Sequence, residues 1–277
     1  MALKVTDNSP WKFTIEPKLP RCEGIDISTK YGRTVVSINT HHEKGMDTSL
    51  KDKPIVEIRD IDGIQVKILS IFKRTAGVEG DGNPLIYALK RKDGYSISKE
   101  DRAWIENRAR EIMRTFIAEL GQDIFISIPS SAGINKMLLD MVEDLIPHEA
   151  RFIPNLIRKI SAGMVQELLY GNVDFYNKAL PKFENDKELN DALSKSFSAM
   201  TNDTFERKKL DARFRGIAMK TMEIIPFFKD VCDMKDHDIV LIDDTISYGD
   251  TIDEACRLMV ENFQPASVSV LTLCSSK

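Results

Sequence analysis

Residues 239–255 read IVLIDDTISYGDTIDEA, and no other stretch limits the fold as tightly. The apolar run Ile239–Ile242 predicts a buried central strand. Two adjacent acids, Asp243 and Asp244, stand at its carboxyl end. A loop rich in hydroxyls follows from Thr245 to Thr251, with Gly249 free to take positive φ. Ile252, Ala255, Cys256, Met259 and Phe263 then recur at helical spacing. Strand, polar turn and helix in that order are the building unit of a parallel α/β sheet, which binds ligands beyond the carboxyl ends of its strands.

A second unit of this kind lies upstream in DIFISIPSSAGINKMLLDMVEDLIP, residues 123–147. Ile124–Ile128 predicts a strand and Pro129–Gly133 a turn. Met137, Leu138, Met141, Val142 and Leu145 form the apolar face of a helix. Before it, SKED at 98–101 resembles a capping box with Asp101 in the place of Glu. The residues behind it, Ile105, Ala109, Ile112, Met113, Phe116, Ile117 and Leu120, predict an amphipathic helix ending near Gly121. ASVSVLTLCSS (266–276) reads as a last strand. The expected fold class for residues 98–277 is therefore α/β, a parallel sheet flanked by helices.

Residues 1–97 read as a separate β-rich region of unassigned role. RTVVSIN (33–39) is one strand, 53–72 a hairpin around Asp60–Gly63, and PLIYALKRKDG (84–94) a further strand-like run. Residues 150–210 are polar and helix-like, with a weak apolar stripe of Leu189, Ala192, Leu193 and Phe197; 215–228 is expected to hold another strand.

Composition sets outer limits. A net charge of -4 argues against a non-specific nucleic-acid binder. No apolar run is long enough for a membrane helix, and the N-terminus has no signal-peptide core. The four cysteines, Cys22, Cys232, Cys256 and Cys274, show no tight pairing and read as free thiols in a reducing, cytoplasmic setting. His41-His42 has no spaced metal-ligand partner and reads as surface loop.

The chemistry of the 239–255 stretch is specific. A loop wrapped over a helix N-terminus presents backbone N–H groups and a positive dipole end, which suits phosphate. Carboxylates repel that phosphate but accept hydrogen bonds from neutral hydroxyls, and two adjacent acids suit a vicinal diol. A phosphorylated sugar satisfies both halves. Competing readings fail on residues. A Walker B strand needs a GxxxxGK[ST] loop, which the chain lacks, and Pro129 breaks a GxSxG elbow around the serines. Asp60–Gly63 lies in a hairpin pattern, where Asp-Gly is a turn signal.

The stretch IVLIDDTISYGDT resembles the phosphoribosyl-pyrophosphate (PRPP) loop of type I phosphoribosyltransferases: four apolar residues, two acids, a short loop, then Gly, any residue and Thr. IFISIPSSAGINK stands where that family has an earlier turn for pyrophosphate. The resemblance implies that Asp243 and Asp244 hold the ribose hydroxyls. It implies that Thr245, Ile246, Ser247, Tyr248, Gly249, Asp250 and Thr251 cradle the 5-phosphate. Ser130, Ser131 and Gly133 then face the pyrophosphate, with Lys136 as helper. It further implies Mg²⁺ bound through the substrate rather than by direct protein ligands, and transfer of phosphoribose to a nitrogenous base with release of pyrophosphate. The chain departs from the pattern in two places: Tyr248 stands where the family has a small residue, and Ser247 where 6-oxopurine enzymes carry an aspartate. Tyr248 and the unassigned N-terminal region keep a second reading open, a PRPP- or nucleotide-binding regulator without turnover. A hydrolase of a ribosyl bond is the third. Expected partners are PRPP and a nucleobase-like acceptor, without a membrane or nucleic acid. The β-rich region leaves room for a homo-oligomer contact.

Overall fold

The computed structural model describes residues 23–30, 32–75, 84–120, 123–130, 133–146, 149–200, 205, 209–214, 217, 219–246 and 250–275. Ser131, Ser247, Tyr248, Gly249, Gly121, Lys208, His148 and Cys22 lie outside them.

The chain opens with two antiparallel strands, β1 (Gly24–Lys30) and β2 (Arg33–Asn39), the second where RTVVSIN predicts it. A short β3 (Met46–Asp47) precedes the hairpin of β4 (Ile55–Ile61) and β5 (Ile64–Arg74). Ile61 faces Ile64 across a two-residue turn, and both turn residues take positive φ, Asp62 at 54° and Gly63 at 88°. That is a type I′ turn, whose twist matches the strands, and only Gly, Asn or Asp adopt it readily. Asp60 is absorbed by this turn: its carboxylate accepts from the Gly63 N–H at 2.8 Å and from Gln65 at 2.9 Å.

The next segment corrects an expectation. PLIYALK is a helix, α1 (Pro84–Lys90), and not a strand. Leu85, Ile86, Ala88 and Leu89 share one helical face and are buried in a common core with α2. A seven-residue apolar run fits either period, so the neighbours decide it. Pro84 opens the helix, where its missing N–H is harmless. Arg91, at φ 51°, closes it: its N–H donates to Ala88 O and that of Lys92 to Tyr87 O, the Schellman arrangement. β6 (Tyr95–Ile97) then pairs in parallel with β2 to complete a three-stranded sheet.

Helix α2 (Lys99–Phe116) starts at the Ser98 cap, whose hydroxyl accepts from Asp101 N–H at 2.9 Å. The shorter Asp side chain alters the box: its carboxylate takes the Ser98 hydroxyl and, at 3.4 Å, the Ile38 N–H of β2. Every residue of the predicted apolar stripe is buried, the last ones in a 3-10 turn at residues 117–119. β7 (Ile124–Ser127), α3 (Ile134–Glu143), β8 (Arg151–Ile153) and β9 (Ile157–Lys159) follow. Helices α4 (Ala162–Tyr170), α5 (Val173–Ala179) and α6 (Asp186–Ser198) bury their own aromatic core, in which Phe175 and Phe183 both meet Phe214. β10 (Met222–Ile224) pairs antiparallel with β9; α7 (Pro226–Val231), β11 (Asp238–Thr245), α8 (Asp250–Phe263) and β12 (Ser267–Cys274) complete the chain.

The main sheet runs β5-β12-β11-β7-β8, all parallel, with β3 and β4 antiparallel on the outer side of β5. It is the expected α/β sheet flanked by helices, but it draws strands from both sides of the division at residue 97. One face packs on α1, α2, α3 and the small sheet, the other on α8. Ile239, Val240, Leu241 and Ile242 of β11 are fully buried, each side chain contributing about 1.5–3 kcal/mol of transfer free energy. From β7 the chain continues to β8 on one side; from β11 it returns through α8 to β12 on the other. The order therefore reverses between β7 and β11, where an open α/β sheet forms its binding crevice.

Candidate functional site

Register brings the polar turns together. Ile242 lies opposite Ser127, and Asp243 opposite Thr272, so the tips of β7, β11 and β12 end at one level. Ile128 N–H extends the β7–β11 ladder by donating to Ile242 O at 2.9 Å. Beyond that bond β11 carries its two acids, both buried, at the mouth of the crevice.

Asp243 and Asp244 are held differently. Asp243 Oδ1 accepts from Asn135 Nδ2 at 3.1 Å and from the Asp244 N–H at 2.9 Å. Burial, helped by the neighbouring Asp244 charge, raises its pKa to about 7. Asp244 Oδ2 takes the Ser130 hydroxyl at 3.1 Å and an ion pair with Lys90 Nζ. Successive residues of a strand face opposite sides, which is why the two acids find different partners.

Asn135 and Lys90 were not singled out by the sequence. Asn135, 2% exposed, donates from one amide nitrogen to Ile128 O at 2.8 Å and Ile242 O at 3.3 Å as well as to Asp243. Three acceptors around that nitrogen fix the orientation of the amide. Its Oδ1 is buried with no hydrogen-bond partner among the described residues. The signal for Asn135 was a polar residue in the first turn of a helix immediately behind the serine turn. Lys90 carried no such signal, since its segment read as a strand.

The remaining expected residues separate. Thr245 ends β11 beside Cys274. Ile246 is buried in the core, its N–H donating to Cys274 O at 3.3 Å and its carbonyl accepting from Arg74 Nη1 at 3.3 Å. Asp250 and Thr251 open α8, with Asp250 and Asp253 both in its first turn. Gly133 caps α3 at φ 69°, a conformation that favours glycine. Lys136 does not join this convergence. Its side chain is 75% exposed and pairs with Asp140 at 2.8 Å, one helical turn on. Arg158 likewise pairs with Glu223 across β9 and β10, and His42 with Asp26 on the surface.

One further carboxylate ties the helical segment to this region. Glu254, buried on α8, accepts from the N–H groups of Thr221 and Met222 and from the Thr221 hydroxyl. Helix α8 is thereby fastened to the segment that follows α4–α6.

Among the described residues no three His, Cys, Asp or Glu side chains converge as a metal site, and no helix is long and apolar enough to cross a membrane. Thr221 and Glu254, the acid pair and the loop to Thr251 all fall within residues 162–277, which match the family model described as the phosphoribosyl transferase domain. β7, Ser130, Asn135 and Lys90 precede that match. No curated protein matches the chain. The two acids at the switch point of the parallel sheet thus lie in the part of the chain, residues 162–277, that is similar to the phosphoribosyl transferase domain.

Proposed function

We propose that the protein transfers phosphoribose from PRPP to a nitrogenous base or related nucleophile and releases pyrophosphate. The observation that carries this reading is the pair of buried acids at the crevice, inside the segment similar to the phosphoribosyl transferase domain and six residues before the start of α8. In this reading Asp243 and Asp244 accept the ribose 2- and 3-hydroxyls. The segment Thr245, Ile246, Ser247, Tyr248, Gly249, Asp250 and Thr251 holds the 5-phosphate through backbone N–H groups and hydroxyls. Asp250 and Asp253 in that turn make backbone donors the main contacts, since their carboxylates repel phosphate. Ser130, Ser131 and Gly133 line the side toward the pyrophosphate.

Breaking the C1–pyrophosphate bond develops positive charge on the ribose and negative charge on the leaving group. The chain contributes by fixing the sugar through its diol and by excluding water from the acids. Mg²⁺ would be held through the substrate, with Asp243 and Asp244 as the nearby carboxylates, and would neutralise charge on the leaving group. Residues 98–277, with β5 completing their sheet, form the working unit, and the helical segment fastened by Glu254 builds the acceptor side. A reducing, cytoplasmic compartment fits the free cysteines: Cys256 and Cys274 are buried, and burial pushes the Cys256 thiol up to about 12.

The test is calorimetry of PRPP with Mg²⁺ on the wild type and on Asp243→Asn/Asp244→Asn, followed by a screen of bases for pyrophosphate release. Wild-type binding that the double variant loses, with release in the presence of one base, is the expected result. Absence of wild-type binding by folded protein overturns the reading. The second reading, a PRPP-binding regulator, is favoured by Tyr248 in place of a small residue. Binding without pyrophosphate release from any base would select it.

A further inference from the structure

Two donors from different parts of the chain converge on one oxygen of Asp244. Ser130 reaches Oδ2 from the turn behind β7, and Lys90 reaches the same oxygen from the end of α1. The lysine is not a mobile surface side chain. Its helix is seated in the core by Leu85, Ile86, Ala88 and Leu89, and the Schellman turn at Arg91 fixes the end from which it projects. The side chains of Lys90 and Asp244 are 15% and 8% exposed, so the pair is shielded from solvent and its attraction is stronger than in water.

A diol brings hydroxyl donors but no positive charge. It can share Asp244 with an ammonium but cannot replace one. Two adjacent buried acids need a fixed counter-charge if both are to stay available as acceptors, and a second cation of the same region, Arg74 at the end of β5, is already engaged with Ile246 O.

We propose that Lys90 is a positioning residue of this site: it holds Asp244 through Oδ2 with its other oxygen, Oδ1, directed to a ligand hydroxyl, so that the N-terminal region completes the sugar-binding crevice rather than standing apart from it. This inference rests on the PRPP reading above.

The experiment is Mg²⁺-PRPP calorimetry on the full chain as wild type, Lys90→Met and Lys90→Arg, each with its melting temperature. Lys90→Met keeps the apolar stem and removes the charge; Lys90→Arg keeps the charge. The expected result is a Kd raised about tenfold or more by Met and restored to within about threefold of wild type by Arg. A Met variant that binds within about twofold of wild type, or an Arg variant as weak as the Met variant while both melt like wild type, overturns the role of Lys90. If Lys90→Met does not fold, Lys90→Gln replaces it with the same thresholds. The two levels of failure are distinct: no binding by the wild type removes the PRPP reading itself, whereas wild-type binding that is indifferent to residue 90 removes only the present inference.

Discussion

β7 and β11 are neighbours in the sheet, buried along their apolar runs, and each runs out at the same edge into a polar turn and a helix. Their turns are used differently. β11 carries the acids at its tip and is followed in sequence by α8. The β7 turn and α3 direct their polar groups back at those acids, Ser130 onto Asp244 and Asn135 onto Asp243. One local plan thus yields a unit that bears the acids and a unit that supports them.

The comparison breaks most visibly at Asn135. Asn135→Leu keeps the size but strips one donor from each of two strand-end carbonyls and from Asp243, which keep Ser127, Ile128 and Asp244 as their other donors. Leaving buried acceptors unpaired costs about 1–3 kcal/mol, more for a charged group. Urea unfolding should show a loss within that range, with weaker PRPP binding in the protein that remains folded.

Next in size is a pH effect. Burial raises Asp243 from 3.8 to about 7, so between those values the folded chain holds a proton that the unfolded chain has released. This contribution to stability is fully present below about pH 4 and disappears as pH rises through about 7. Asp243→Asn should flatten that part of the stability profile. PRPP binding should follow the opposite trend and strengthen over the same interval, because a carboxylate accepts from a hydroxyl better once ionised.

Ser130→Ala removes one hydrogen bond from Asp244 and leaves the ion pair with Lys90. A loss of about 0.5–1.5 kcal/mol in PRPP binding, read by calorimetry, is expected, with little change in melting temperature. Lys136→Ala sharpens the contrast at the small end. Its exposed i,i+4 pair with Asp140 is of a type that contributes about 0.3–0.5 kcal/mol, so stability should shift by no more than that and PRPP affinity should hold. An effect on binding comparable to that of Ser130→Ala would bring Lys136 back into the site.

Much of this protein is determined by short-range pattern. Ile239–Ile242 followed by two acids dictates a buried strand with carboxylates at its tip. The stripes of α2 and α8 follow from helical spacing, and Asp62-Gly63 dictates the turn between β4 and β5, because each depends on residues within a few positions of one another. Three things had to wait for the tertiary structure. α1 is a helix because the core it meets accepts one apolar face, which a seven-residue run does not reveal. β5 belongs to the main sheet because it pairs with β12, some two hundred residues away, and hydrophobic alternation carries no record of its partner. The acids of β11 are completed by Asn135 and Lys90 from separate elements. Such a convergence arises only when distant backbones are brought to one edge, where a buried carboxylate takes whichever donors the packing places within reach.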